Sequence, residues 1–171
     1  IPETVDRVIR SCEEEVKLLA SKYKDERFFV FLGRGINSAT AYEGRLKLLE
    51  ITYIPSLAYP AGESKHGPIS VIEEGTRVIA IVPRDSTRKE MLGNLQEMKA
   101  RGARITVLAE DGDEEVRKLA EDVLWMPAGL NPLMTPIVYV VPLQLLAYYT
   151  AVERGLDPDK PRNLAKSVTV P

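Results

Sequence analysis

Apolar positions along the chain switch repeatedly between a helical period and short unbroken runs, and that switching sets the fold class. From residue 2 to residue 24, Val5, Val8, Ile9, Cys12, Val16, Leu19 and Ala20 repeat with helical spacing, and Pro2 suits a first turn. Because this helix precedes the first strand, it is expected to pack across the domain or against a preceding one. Residues 27–32 (RFFVFL), 77–82 (RVIAIV) and 104–108 (RITVL) are continuous apolar runs bounded by charge, glycine or proline. Such runs mark strands of a parallel sheet covered on both faces. Residues 123–126 (VLWM) form a shorter one, and residues 52–59 read as extended, with Pro55 breaking the preceding helix.

Helical patterns fill the intervals. They are expected at 41–51, at 86–101 with Ser86 as cap and Gly102 as stop, and at 113–121. A long apolar helix is expected at 133–154, bent or delayed by Pro136 and Pro142 and ended by Gly155. Strands alternating with helices predict an α/β fold. It is a three-layer α/β/α sandwich on a five-stranded parallel sheet with right-handed crossovers. No repeat or low-complexity segment interrupts it. Three spans are expected: a leading helix at 1–26, the sheet domain at 27–155 and a tail at 156–171.

Charge changes the picture first in the helix at 41–51 (AYEGRLKLLEI). Glu43, Lys47 and Glu50 fall on one face, and Leu46, Leu49 and Tyr53 form a neighbouring apolar stripe expected to pack. Such a column is either a surface ion-pair ladder, at a few tenths of a kcal/mol per pair, or a proton-handling site with Lys47 between two carboxylates. On spacing alone the ladder is the simpler account. After the first strand, residues 33–38 (GRGINS) make a strand–Gly-x-Gly–helix turn able to face an anion. Ser38 stands where a dinucleotide fingerprint has its last glycine, so an ordinary tight turn is favoured there. Sheets of this kind bind ligands beyond the carboxyl ends of their strands. The segment 60–68 (PAGESKHGP) reads as a loop or short helix and holds the only histidine, His66.

Composition excludes more than it assigns. The 171 residues suit one domain, with 44% apolar and 28% charged residues and a net charge of −2. Scattered basic residues give no footing for nucleic acid or an anionic membrane. Cys12 stands alone, which rules out an internal disulfide and a cysteine metal cluster and fits a reducing compartment. No apolar run of membrane-spanning length and no signal peptide is read, and the first residue, Ile1, suggests a piece of a longer polypeptide. In the tail, Pro158 and Pro161 stiffen the approach, while Leu164, Val168 and Val170 offer docking contacts around Lys166. A tail lysine is ordinarily solvated. Once docked and desolvated it becomes an amine nucleophile toward a carbonyl.

Three segments together resemble a known family. EGRLKLLEITYI, AGESKHGPI and the tail DKPRNLAKSVTV are similar to the isomerase portion of glutamine–fructose-6-phosphate aminotransferase (glucosamine-6-phosphate synthase) over residues 29–170. The tail carries the most specific part of the likeness; the other two segments are shared more loosely with sugar isomerase (SIS) domains. The resemblance implies the second of two tandem SIS domains, flavodoxin-like in architecture. It also implies a catalytic set. Lys166 would form a Schiff base with the open-chain ketose, and Glu50 would move the proton between C1 and C2. Glu43 and Lys47 would be its charged neighbours, and Ala165 would adjoin the sugar through its backbone. His66 would assist ring opening from the neighbouring subunit of a homodimer. Arg45, Leu49, Ser64 and Pro171 depart from the family pattern, none at a proposed catalytic position.

The chemistry suits these residue types. Ketose–aldose isomerisation needs a base that carries a proton between adjacent carbons, a part open to a carboxylate beside a fixed cation. An imine on Lys166 supplies the electron sink, and a histidine titrating near neutrality can protonate the ring oxygen. No metal or other cofactor is implied. The expected partners are a sugar phosphate (fructose 6-phosphate or glucosamine 6-phosphate) and the first SIS and glutaminase domains of the same polypeptide; the setting is cytoplasmic. Most phosphate-binding residues would lie in the first SIS domain. A regulatory phosphosugar-binding module and a stand-alone sugar-phosphate isomerase are the alternatives, and the pairing of Lys166 with Glu50 favours the enzyme fragment.

Overall fold

In strand β1 (Phe29–Gly33) every residue is buried, yet alternate side chains enter different cores. In this computed structural model, which describes residues 1–164, Phe29 and Phe31 face one layer and Val30 and Leu32 the other. The same division holds in β3 (Arg77–Val82), where Ile79 and Ile81 oppose Val78, Ala80 and Val82. A strand buried on both faces has no room for a polar alternate, which is why these runs read as unbroken apolar stretches.

With β2 (Ser56–Pro60), β4 (Arg104–Glu110) and β5 (Asp122–Met126), these form a five-stranded sheet, all parallel, in the order β2-β1-β3-β4-β5. The order reverses between β1 and β3. One face is covered by α1 (Pro2–Tyr23), α2 (Asn37–Thr52) and α5 (Thr135–Glu153), with α5 packed between the other two. The opposite face is covered by α3 (Arg88–Lys99) and the single turn α4 (Glu114–Arg117). Helix α1 contributes Val8, Cys12, Val16, Leu19, Ala20 and Tyr23 to the first core, so it is an integral layer element. Helix α5 runs unbroken through Pro142. By length and composition the stretch from Pro132 to Glu153 could cross a membrane, contrary to the reading of the sequence, but half of its apolar window is buried against the sheet and its neighbours.

At the amino edge of the sheet, Arg77 is fully buried and lies 4.2 Å over the Tyr23 ring. Its guanidinium reaches Glu26 at 3.2 Å and Glu121 and Asp122 at 3.5 Å each. Tyr23 donates to Asp122 at 2.6 Å and shares a 2.6 Å hydrogen bond with Thr106. A buried guanidinium is tolerable only with such a full set of partners.

Several local expectations change. Residues 52–59 are not extended throughout: α2 continues to Thr52, Tyr53 ends it in the left-handed region (φ 62), and β2 begins at Ser56. Helix α3 starts later than expected, and Ser86 does not cap it. The carboxylate of Asp85 instead accepts from the Thr87 backbone N–H at 2.8 Å and its hydroxyl at 2.7 Å. The helix expected over 113–121 shrinks to the four residues of α4, capped by Asp113.

Candidate functional site

The α2 helix presents a packed face different from the one its apolar residues suggest. Its buried positions are Asn37, Thr40, Ala41, Gly44, Leu48 and Thr52. Leu46 is exposed and Leu49 and Tyr53 are only partly buried, so the expected stripe at 46, 49 and 53 lies away from the core. The cause is Gly44. A side chain there would put its Cβ 2.5 Å from Leu143 Cδ1, so α2 and α5 approach along a line of small residues. At the start of the same interface, buried Asn37 donates to Thr135 Oγ1 at 2.8 Å and Thr40 donates to Asn37 Oδ1 at 3.1 Å, tying the first turns of the two helices together.

This phase places the charge column on a flank, half in solvent. Lys47 Nζ lies 2.7 Å from Glu50 Oε2 and 3.7 Å from Glu43 Oε1, with the three side chains 34%, 27% and 40% exposed in that order. The Glu50 carboxylate is the main reason that the Lys47 ammonium is held above its ordinary pKa. Alongside the column, Ala39, Thr40 and Glu43 of α2 and Pro136, Ile137 and Val140 of α5 line an apolar groove of about 390 Å³. The structure therefore brings Glu43, Lys47 and Glu50 together on one flank of α2, with Glu43 alone at the rim of the groove.

The turn at residues 33–38 is spent on itself. The backbone N–H groups of Asn37, Ser38 and Ala39 donate to the carbonyls of Arg34, Gly35 and Ile36, and Ser38 Oγ donates to Gly33 O at 3.3 Å. Gly33 is required there, since a Cβ would meet Asn37 O at 2.2 Å. An ordinary tight turn is what the geometry gives. It is also remote from Glu50, because α2 runs back toward the amino edge of the sheet. The helical rise alone separates Asn37 from Glu50 by about 20 Å.

His66 ends the 3₁₀ turn Ala61–His66, which packs on α3, and its Nδ1 is 2.8 Å from Glu63 Oε2 on the same turn. Among the described residues no hydrogen bond or ion pair links His66 to the α2 column. Ala165 and Lys166 lie outside the described residues. The segment leading to them returns to α2: after Gly155, a turn closed by Lys160 N–H on Asp157 O leads to Arg162, whose guanidinium lies 3.9 Å over the Tyr53 ring. Neither that contact nor the Asn37–Thr135 pin was read from the sequence. Their partners are separated by 109 and 98 residues, so only the fold reveals them.

The sequence pattern of the SIS domain matches residues 22–154. The chain belongs to the SIS domain family. Glutamine–fructose-6-phosphate aminotransferase (isomerizing) from Thermus thermophilus is 50% identical over 170 residues, 99% of this SIS chain but 28% of the relative's length. The enzyme of the same name from Thermococcus kodakarensis is 49% identical over the same share. Among solved structures, the C-terminal domain of glucosamine-fructose-6-phosphate aminotransferase from Francisella tularensis superposes with a TM-score of 0.82 at 34% identity. It covers 91% of this chain and 43% of that one. The SIS chain thus spans less than a third of the curated relatives it matches.

Proposed function

We propose that this SIS domain is the C-terminal isomerase subdomain of a glutamine–fructose-6-phosphate aminotransferase, which makes glucosamine 6-phosphate from fructose 6-phosphate and glutamine-derived ammonia. The observation that carries the reading is the Lys47–Glu50 pair at 2.7 Å, partly exposed on a packed helix. It is joined by half-identity to enzymes of that name over nearly the whole chain. Glu50 acts as the base that carries the proton between C1 and C2. Lys47 fixes its orientation, Lys166 forms the imine and Ala165 adjoins the sugar. Glu43, at 3.7 Å from Lys47, lies at the rim of the apolar groove. His66 acts from the neighbouring subunit of a homodimer, which accords with its place on a turn packed against α3 rather than α2. The enzyme works in the cytoplasm.

The site is half a site. Its carboxylate stands on the open flank of a helix rather than in an enclosed cavity, so the first SIS domain supplies the opposing wall and most contacts to the phosphate. This chain alone should therefore turn over fructose 6-phosphate with ammonium chloride weakly or not at all, while the tandem two-SIS polypeptide should form glucosamine 6-phosphate. Full activity from the single domain would overturn the half-site reading. Borohydride trapping with fructose 6-phosphate in the tandem form should label Lys166; a label elsewhere would remove that lysine from the imine role.

A further inference from the structure

Only two non-glycine residues among those described have positive φ: Tyr53 at 62° and Asn163 at 63°. Asparagine enters this region readily, but a tyrosine does so at a cost and calls for a reason. Tyr53 closes α2, its backbone N–H donating to Leu49 O at 3.1 Å, and its side chain adds a contact to the segment after α5. The Arg162 guanidinium stacks on the Tyr53 ring at 3.9 Å from its centroid, and the Arg162 backbone N–H donates to the Tyr53 hydroxyl at 2.9 Å. Tyr53 is gripped twice by one residue, through the ring face and through the hydroxyl. Ring and hydroxyl together fix both the distance and the direction of the chain at Arg162, which a surface ion pair would not do. Arg162, Tyr53 and the ends of α1 and α5, through Lys24 and Glu153, wall a cleft of about 610 Å³.

Tyr53 stands at the carboxyl stop of α2, three residues beyond Glu50. Along the chain, Arg162 precedes Lys166 by four residues. We propose that Tyr53 and Arg162 form a clamp that positions the tail lysine for its attack on the sugar carbonyl, by tying the tail to the helix that carries Glu50. The inference rests on the isomerase reading above. Tyr53 and Arg162 are positioning residues; they touch neither substrate nor base. Four residues of chain span at most about 14 Å, so fixing Arg162 bounds the distance at which residue 166 can act.

The test uses the tandem two-SIS polypeptide with Arg162→Ala, Arg162→Lys, Tyr53→Asn, Tyr53→Phe and the double variant Tyr53→Asn/Arg162→Ala. Asparagine keeps the left-handed backbone comfortable, so folding is preserved while ring and hydroxyl are lost. Losing the stacking and the hydrogen bond should lower kcat and the yield of borohydride-trapped Lys166 by roughly tenfold. KM for fructose 6-phosphate and the melting temperature should hardly move. Arg162→Lys and Tyr53→Phe should fall between, each keeping part of the grip, and the double variant should be no worse than the worse single one. Carboxypeptidase digestion of the tail, which needs no turnover, should quicken in the same order. If wild type traps at Lys166 and the variants match it in kcat and digestion rate, the clamp is overturned. Independent, additive losses in the double variant would overturn it as well. If wild type does not trap at Lys166 while digestion quickens in the variants, the anchoring stands and the isomerase role of the lysine falls.

Discussion

Gly44→Ala sets two known effects against each other at the interface that fixes the phase of α2. In an exposed helix interior the substitution would stabilise by about 1 kcal/mol through backbone entropy. Here the new methyl would stand 2.5 Å from Leu143 Cδ1 and 3.2 Å from both Leu143 Cβ and Cγ, against a comfortable carbon–carbon distance of about 3.5–4.0 Å. Rotation of Leu143 could relieve the Cδ1 contact, but not the contacts to its stem, and Leu143 is only 2% exposed in a filled core. Overpacking of this kind costs about 1–3 kcal/mol. The clash should therefore outweigh the propensity gain, leaving Gly44→Ala destabilised by about 1 kcal/mol in urea unfolding, with an unchanged m-value. Leu143→Ala alone should lose about 2–5 kcal/mol. Because the alanine methyl at 44 occupies part of that cavity, the double variant should be more stable than the sum predicts, with a coupling of about 1–3 kcal/mol. A Gly44→Ala protein that is more stable than wild type, together with an additive double variant, would refute the view that close approach at Gly44 sets the helix phase.

Other outcomes follow from the charged groups. Glu50→Gln in the tandem enzyme should lower kcat by about 10²–10⁴ with little change in KM, the loss ascribable to one acid–base group; steady-state kinetics on fructose 6-phosphate with ammonium checks this. Glu121, hydrogen-bonded first of all to Arg104 and then to Lys22, is held at about 2 in the folded state against an ordinary 4.5. Its folded pKa is depressed, so its contribution is present above about 4.5 and is lost as pH falls toward 2. Urea midpoints measured from pH 7 down to pH 2 should show a shallower acid limb in Glu121→Gln. Removing the buried guanidinium in Arg77→Met takes away the one cation that reaches all of Glu26, Glu121 and Asp122, leaving them to the more exposed Arg104 and Lys22. Urea unfolding should show a loss of about 3–5 kcal/mol, and wild-type stability would show that the network is dispensable.

The layers were legible because strands buried on both faces leave no alternative reading. Residues 77–82 were bounded to the residue, and β1, β4 and β5 to within two residues or so at their ends. The phase of α2 was not legible, for a physical reason. Its packed face is made of Asn37, Thr40, Ala41, Gly44 and Thr52 around a single large apolar residue, Leu48, while Tyr42 and Leu46 point outward. An apolar stripe can be read only where burial selects large apolar residues. Where two helices approach through small ones, the buried face is silent in the pattern. The charge column survived this error because its members share a face whatever the rotation of the helix. Ser86 does not cap α3 for a similar local reason: Thr87 takes the N-cap position, and the Asp85 carboxylate two residues before it accepts from both its amide and its hydroxyl.

The geometry also separates two carboxylates that spacing leaves equivalent. An ion-pair ladder would hold Lys47 evenly between its neighbours; instead Lys47 is hydrogen-bonded to Glu50 and merely near Glu43. The single hydrogen bond engages Glu50 Oε2, and a carboxylate has two oxygens able to accept. A base needs this arrangement: one oxygen fixed by a cation so that the group does not swing, the other available to the proton it carries. Glu43 has neither the close anchor nor the same surroundings, since it lines the apolar groove with Ala39, Pro136, Ile137 and Val140. Any partner surface that fills that groove must come to terms with the Glu43 carboxylate, either by pairing it or by leaving it a path to water. Glu50, farther along the helix and next to the Tyr53–Arg162 contact, escapes that demand. The two ends of one charge column thus differ: Glu50 is anchored by Lys47, which suits the proton-transfer role proposed for it, and Glu43 lines the apolar groove.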